Sequence, residues 1–193
     1  HTRFENNFSL GQPQVAGVIS NSEARGGAIY SDAAITAITN STFINNQALS
    51  GMGANGNIVG LHHAKGGAIF ITNATIGLIN NADFQLNVAQ GGDSDSSSVT
   101  TSGGNGLGAA IYGDLNAVIT TLSNSSFTNN QSRGGNSSLA IGSLPGSAYG
   151  GGIYLSRTSS VTTLTQNVFT NNQALGANGQ FLHEQDNSEQ RTS

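Results

Sequence analysis

Apolar and polar residues alternate along this chain in short bursts, and the bursts return in register. Five phenylalanines share one setting: Phe4, Phe43, Phe84, Phe127 and Phe169. Five places before the last four stand Ile38, Ile79, Leu122 and Leu164, and eight places before them Ile35, Ile76, Ile119 and Val161. Three places after each Phe stands Asn7, Asn46, Asn87, Asn130 or Asn172, and five after the last four come Ala48, Ala89, Ser132 and Ala174. The place just before them wanders through Thr42, Asp83, Ser126 and Val168. Columns that keep one residue type face a core, and the wandering column faces solvent. The bursts are rich in Ile, Val, Thr, Phe and Tyr and are cut by Gly and Asn-Asn pairs. Those are strand formers bounded by turn formers.

A second signature precedes four of the phenylalanines. It reads Gly26-Gly27-Ala28-Ile29-Tyr30, Gly66-Gly67-Ala68-Ile69-Phe70, Gly108-Ala109-Ala110-Ile111-Tyr112 and Gly150-Gly151-Gly152-Ile153-Tyr154. Its isoleucines fall at 29, 69, 111 and 153, a nearly constant period in the range that marks a solenoid. The repeated stretches 26–48, 66–89, 108–132 and 150–174 each hold about three short strands, the content of one turn of a parallel β-helix. The expectation is all-β: four full coils and a partial leading one in a single segment 1–193, with a tail over 175–193. Like residues then stack on like. Phe43, Phe84, Phe127 and Phe169 make one stack, and Asn46, Asn87, Asn130 and Asn172 make an amide ladder at a bend. Two thinner coils per period is the alternative geometry.

Between coils lie Gly- and Ser-rich insertions at 49–65, 90–107 and 133–149, with 10–25 before the first. They leave from one corner and are predicted to form a ridge. Each has an apolar spot (Val18-Ile19, Ile58-Val59, Val99, Leu139 and Ile141) that suits folding back onto the coil.

The paired motifs resemble the repeats of the chlamydial polymorphic outer-membrane proteins and, more widely, pectin-lyase-like β-helix repeats of surface proteins. The resemblance covers about residues 4–174. It implies a right-handed parallel β-helix, exported and surface-exposed, often an autotransporter passenger and often adhesive. The long regular insertions depart from it, and no membrane barrel follows within the chain.

Composition narrows the function classes. Charged residues are 8% and net charge is −4, so no basic footprint for nucleic acid exists. No apolar run is long enough to span a membrane as a helix. With no Cys there is no disulfide framework and no thiolate metal site.

Candidate chemistry is sparse. Asp32 and Asp114 fall two residues after a Tyr, where the second repeat has Thr72. They read as turn residues rather than a catalytic carboxylate pair. Asp93 and Asp95, in Asp93-Ser94-Asp95, are the weak candidates for a metal; the Gly and distal Glu of an EF-hand loop are missing. His62, His63 and Lys65 read as surface polarity. Tyr30, Phe70, Tyr112 and Tyr154 form an outward aromatic column, either covered by the insertions or open to sugars or a partner. Thr36, Thr120 and Thr162 share a column, but Gly77 breaks it, which argues against an ice-binding array. Six Asn-x-Ser/Thr triplets, including Asn40, Asn124 and Asn130, are about the number chance supplies. Gly103-Gly104-Asn105-Gly106 has no following Lys-Ser/Thr and is not a phosphate loop.

The reading is a non-enzymatic, extracellular structural or adhesive β-helix of a surface protein or filament, with no cofactor. The alternative is a carbohydrate-active segment whose catalytic residues lie elsewhere. Expected partners are adjoining coils or further copies of the chain, with a host or matrix protein or glycan on the insertion ridge. Neither end carries a visible cap, so the segment is expected to continue into more coils.

Overall fold

A computed structural model describes residues 1–13, 22–53, 62–94, 102–138 and 143–178. The described elements are β-strands, all paired in parallel, in four sheets. Along one coil the chain visits them in order. The first sheet holds Ala24–Arg25, Ala64–Lys65, Gly106–Leu107 and Ala148–Tyr149. The second holds Ile29–Ser31, Ile69–Thr72, Ile111–Asp114 and Ile153–Leu155. The third is the widest, built on Ile35–Ile44 and Thr75–Gln85 with the equivalent strands of the other coils. The fourth holds Phe8–Leu10, Gln47–Leu49, Val88–Gln90, Gln131–Arg133 and Gln173–Leu175.

Register settles the geometry. Ile35 pairs with Ile76, Phe43 with Phe84 and Phe84 with Phe127. Strands one full period apart are direct neighbours, so each period is one turn, and the two-coil alternative falls. The expectation of three strands per coil needs correction to four sheets. The additional strand is two residues long and sits just before Gly-Gly, where no hydrophobic period can declare it. The insertions assigned to 10–25, 49–65, 90–107 and 133–149 therefore give their last two residues to the wall of the coil.

The corners follow from residues that tolerate a left-handed backbone. The leading Gly of each pair has φ between 59° and 68°. The residue before each ladder Asn does the same: Asn6, Asn45, Asn129 and Asn171 lie at φ 51–55°, and Leu86 joins them at 55°. A third such column, Asn40, Asn81, Asn124 and Gln166, bends the wide sheet in mid-strand. Asn reaches this region cheaply because its short amide bonds locally, whereas Leu lacks that compensation.

The core is a set of like-on-like columns. Ring centroids in the Phe stack are 4.7, 4.7, 4.7 and 4.6 Å apart from Phe4 to Phe169, with planes within 6° of parallel. That interval is the strand spacing itself. Phe43, Phe84 and Phe127 are fully buried with Ile69, Ile76, Ile79, Ile111, Ile119 and Leu122. Phe169 is 48% exposed because no described coil lies above it. Ala24, Ala48, Ala64 and Ala89 form a smaller cluster between the first and fourth sheets.

The asparagine ladder leaves none of its interior amides idle. Asn87 Nδ2 donates to Asn130 Oδ1 at 2.9 Å and to the Phe43 carbonyl at 2.9 Å. Its Oδ1 accepts from both N and Nδ2 of Asn46, at 3.0 Å each. Asn46 and Asn130 repeat the pattern. A buried side-chain amide has two donors and two acceptor positions, and here all four are used. Aspartate would lose the donors, and leucine would orphan the carbonyl it serves.

Two stability predictions follow from this packing. Phe127→Ala removes a ring stacked on both faces and should cost about 3–5 kcal/mol in urea unfolding, as a large-to-small core change does. Leu86→Asn should instead raise stability by about 1 kcal/mol, by relieving a left-handed leucine that is already half exposed. A loss of stability in that variant would show that Leu86 contributes packing that outweighs its backbone strain.

Candidate functional site: the flank that carries the insertions

The insertions at 90–107 and 133–149 carry glycines near both borders, and the structure gives those glycines a specific task. Outgoing and incoming stems alternate along the helix axis and are joined by single backbone hydrogen bonds. Gly92 N–H donates to the His62 carbonyl at 3.0 Å, and Gly104 to Gly92, Gly135 to Gly104 and Gly146 to Gly135 at 2.8 Å each; Ala177 then donates to Gly146 at 3.0 Å. Outgoing stems also bond one another, Gly53 to Asp93 and Ser94 to Asn136 at 2.9 Å each. These strips pack backbone against backbone. A Cβ at Gly104 would lie 1.7 Å from the His62 oxygen, and one at Gly135 2.0 Å from the Gly92 oxygen. The stems of 49–65, 90–107 and 133–149 thus stand on one flank, as the ridge reading requires. The apolar spots proposed to fold back (Val18, Ile19, Ile58, Val59, Val99, Leu139 and Ile141) lie outside the described residues.

Beside the neck sits a small polar cluster. The Glu23 side chain is 2% exposed, between Lys65 Nζ at 2.8 Å and the Arg25 guanidinium at 2.5 Å. Burial pushes the Glu23 carboxyl up, but the hydrogen bonds and charges of Lys65 and Arg25 outweigh it and hold it below the ordinary carboxylate range. His63 Nδ1 accepts from the Asn105 N–H at 2.9 Å, and Asn105 Oδ1 accepts from the Ser147 N–H at 2.8 Å. One column therefore supplies a side-chain acceptor to the next coil up. His62 is 7% exposed, its Nε2 2.6 Å from the Ser102 carbonyl. The expectation of surface polarity fails for His62, because the next stem, closed down by its glycines, covers the ring. Neither histidine pattern suits a metal: each ring is committed to the neighbouring stem. Among the described residues no three His, Asp or Glu converge.

The aromatic column lies outside the main core. Tyr30, Phe70, Tyr112 and Tyr154 stack at 5.3, 5.4 and 5.5 Å. Phe70 and Tyr112 are buried with Leu107, and Arg25 lies over the Phe70 ring at 5.8 Å. Of the two expectations, cover by the insertions or an open face, Phe70 and Tyr112 take the first: Leu107 and Arg25, the closing residues of the segments 90–107 and 10–25, provide the cover. Burial pushes the Tyr112 phenol up to about 12. Tyr30 remains 48% exposed at the open end of the column.

The other candidates disperse. Asp93 is exposed, and its Oδ1 accepts from the Asn136 N–H at 2.7 Å; Asp95 lies outside the described residues. Asp114 pairs in register with Thr72 and accepts from the Ser156 hydroxyl and the Leu115 N–H, as a turn residue does. Asp32 is exposed, two coils from Asp114. Asn130 is spent in the ladder, so its triplet has no free amide for a glycan. An open groove of about 550 Å³ crosses the bend of the third sheet, lined by Asn40, Asn81, Asn124, Ser125, Asp83 and neighbours. Its polar groups are bonded to one another: Asn81 Nδ2 to Asn40 at 2.7 Å, Asn124 Nδ2 to Asn80 at 2.8 Å, and Asp83 to Gln85 and Ser126. The sequence held one overlooked signal for the flank, namely that glycines recur at both borders of the insertions.

Gly104→Ala tests the neck. It should lower stability by about 1–3 kcal/mol through overpacking against backbone, while Gly176→Ala, whose Cβ would meet nothing closer than 3.9 Å, should change it by less than about 0.5 kcal/mol. Equal effects in thermal unfolding would show that the stems separate freely.

Comparison with known proteins adds one match. Residues 40–72 match the Chlamydia polymorphic membrane protein repeat. The matched span runs from Phe43-Ile44-Asn45-Asn46 through one whole insertion to Gly66-Gly67-Ala68-Ile69-Phe70. Neither the curated proteins nor the solved structures compared with the chain gave a match. The repeat is that of a surface-associated membrane-protein family, and at that coarse level the match supports a surface-protein repeat region. The chain is a parallel β-helix that resembles the Chlamydia polymorphic membrane protein repeat.

Proposed function

We propose that this chain is an extracellular structural and adhesive segment: a β-helical rod that presents its insertions, on one flank, to a host or matrix protein or glycan. One observation carries the reading. The stems of all three insertions are locked to a single flank by the glycine ladder, while the polar groups of the coil surface are largely bonded to one another. A rigid wall with variable segments on one side is the arrangement by which repeat proteins engage partners. No set of described residues supports catalysis. The third sheet has one carboxylate at its groove, Asp83, and hydrolysis of a glycoside needs two.

Further coils, of this protein or of a second copy, fit both ends. Phe169, Val168, Leu164 and Leu175 are exposed at one end, and Phe8 and Leu10 at the other. Phe169 and Leu164 belong to columns that are buried where a neighbouring coil lies on them, whereas Val168, Leu175, Phe8 and Leu10 belong to columns that stay half-exposed along the wall. Such head-to-tail stacking does not close on itself and extends a rod.

The test uses beads coated with the chain, applied to panels of immobilised glycans and extracellular-matrix proteins. Replacing residues 95–101 by a Gly-Ser stretch of equal length, with both stems intact, should leave the unfolding midpoint within experimental error and reduce bead retention at least several-fold. Retention unchanged by this and the corresponding replacements at 54–61 and 139–142 would move adhesion off the insertion flank. Release of reducing ends or unsaturated products from pectin or alginate would replace the adhesive reading with the carbohydrate-active one.

A further inference from the structure

His62 and His63 are adjacent in sequence, yet both hold the same foreign segment, the incoming stem 102–107 of the next coil. The bonds they make specify a protonation state. The Ser102 carbonyl can only accept, so His62 donates from Nε2, and its Nδ1 is buried with no hydrogen-bond partner. The Asn105 N–H can only donate, so His63 Nδ1 must carry a lone pair. His63 is therefore the neutral Nε2–H tautomer, and His62 carries a proton on Nε2. A second proton on His63 would remove the acceptor for Asn105. A second proton on His62 would bury an N–H with nothing to receive it.

We infer that His62 and His63 clamp the stem of the insertion at 90–107 and that the His63 contact makes the clamp acid-sensitive, closed when that ring is neutral and released when it is protonated. Neighbouring coils show why this step is distinct. The column of His63 is continued by Asn105, whose amide oxygen serves the Ser147 N–H in the same way but does not titrate. The column of His62 is continued by Gly104 and Gly146, which use backbone alone. The titratable grip is thus on the stem 102–107, with no histidine at the equivalent places of the next step.

The charges facing His63 are Glu23, which favours the imidazolium, and Lys65 and His62, which oppose it; Arg25 shares Glu23 with Lys65. Burial is the largest influence and holds the His63 pKa below its ordinary value. The direction of the pH effect follows. Below about 6.5 the released histidine binds a proton that the closed one refuses, so closure weakens as pH falls through that value towards the folded pKa.

Amide exchange of Asn105, followed by NMR on the whole chain and corrected for intrinsic rates, reads the clamp. Its protection should hold steady above pH 7 and fall roughly tenfold for each pH unit below about 6.5, one proton per opening. His63→Asn should flatten that dependence while keeping protection at pH 7.5, since asparagine does this job one coil on. Imidazole ¹⁵N shifts of the unsubstituted chain give a second readout should the variant fail to fold: His63 should be the Nε2–H tautomer at neutral pH. Constant protection from pH 7.5 to 5, dependence that survives His63→Asn, or a His63 that titrates at or above its ordinary value would each overturn the clamp.

Discussion

Everything in this molecule has to repeat at the distance between hydrogen-bonded strands. Parallel coils stack about 4.8 Å apart, and each side chain meets its own counterpart above and below at that interval. Flat rings satisfy it, and so do amides, which can donate upward and accept from below. The Phe centroids at 4.6–4.7 Å and the Asn–Asn bonds near 2.9 Å are two solutions to one constraint. A charged residue in such a column would meet its own charge one coil away in low dielectric. That accounts for the scarcity of Lys, Arg, Asp and Glu in a chain where they are 8% of residues. Where charges do approach the wall they come as a mixed set, Glu23 between Arg25 and Lys65.

The same constraint divides the chain into a fixed part and a presented part. Coil polar groups close on the next coil, leaving few unpaired groups to attract a ligand. The groove on the third sheet illustrates this, because its amides and Asp83 are already bonded to neighbours. The flank with the glycine stems differs. There the wall opens to let segments out, and backbone packs on backbone to seal the gap. Specific side chains, His62, His63, Glu23 and Lys65, gather at that seam.

The seam also links packing to conditions. Phe and Asn columns do not titrate, so the body of the rod should hold its geometry over a wide pH range. The two histidines are placed where a stem meets the wall, and the hydrogen bond that His63 accepts requires the neutral ring. Acid then acts locally, on the attachment of one insertion, before it acts on the coil.

Much of the architecture was legible from the residues alone. The Phe, Ile and Asn columns, the period and the inward or outward sense of each place were set by repetition, because a residue that must stack on itself recurs in type. Thr42, Asp83 and Ser126 proved half-exposed, and Phe43, Phe84 and Phe127 buried, as the columns required. Features that do not repeat in type were illegible. The two-residue strand before Gly-Gly is Ala-Arg, Ala-Lys, Gly-Leu and Ala-Tyr in turn; only its small first residue repeats, and a single small residue does not announce a strand. Gly92, Gly104 and Gly135 looked like loop composition, and only the approach of two backbones within contact distance shows why a side chain is excluded. His62 and Ser102, forty residues apart, meet because one turn of the coil returns the chain to the same flank. Repetition wrote the wall of the helix into the sequence, and tertiary structure alone decided the seam, since its contacts join unlike residues from different turns.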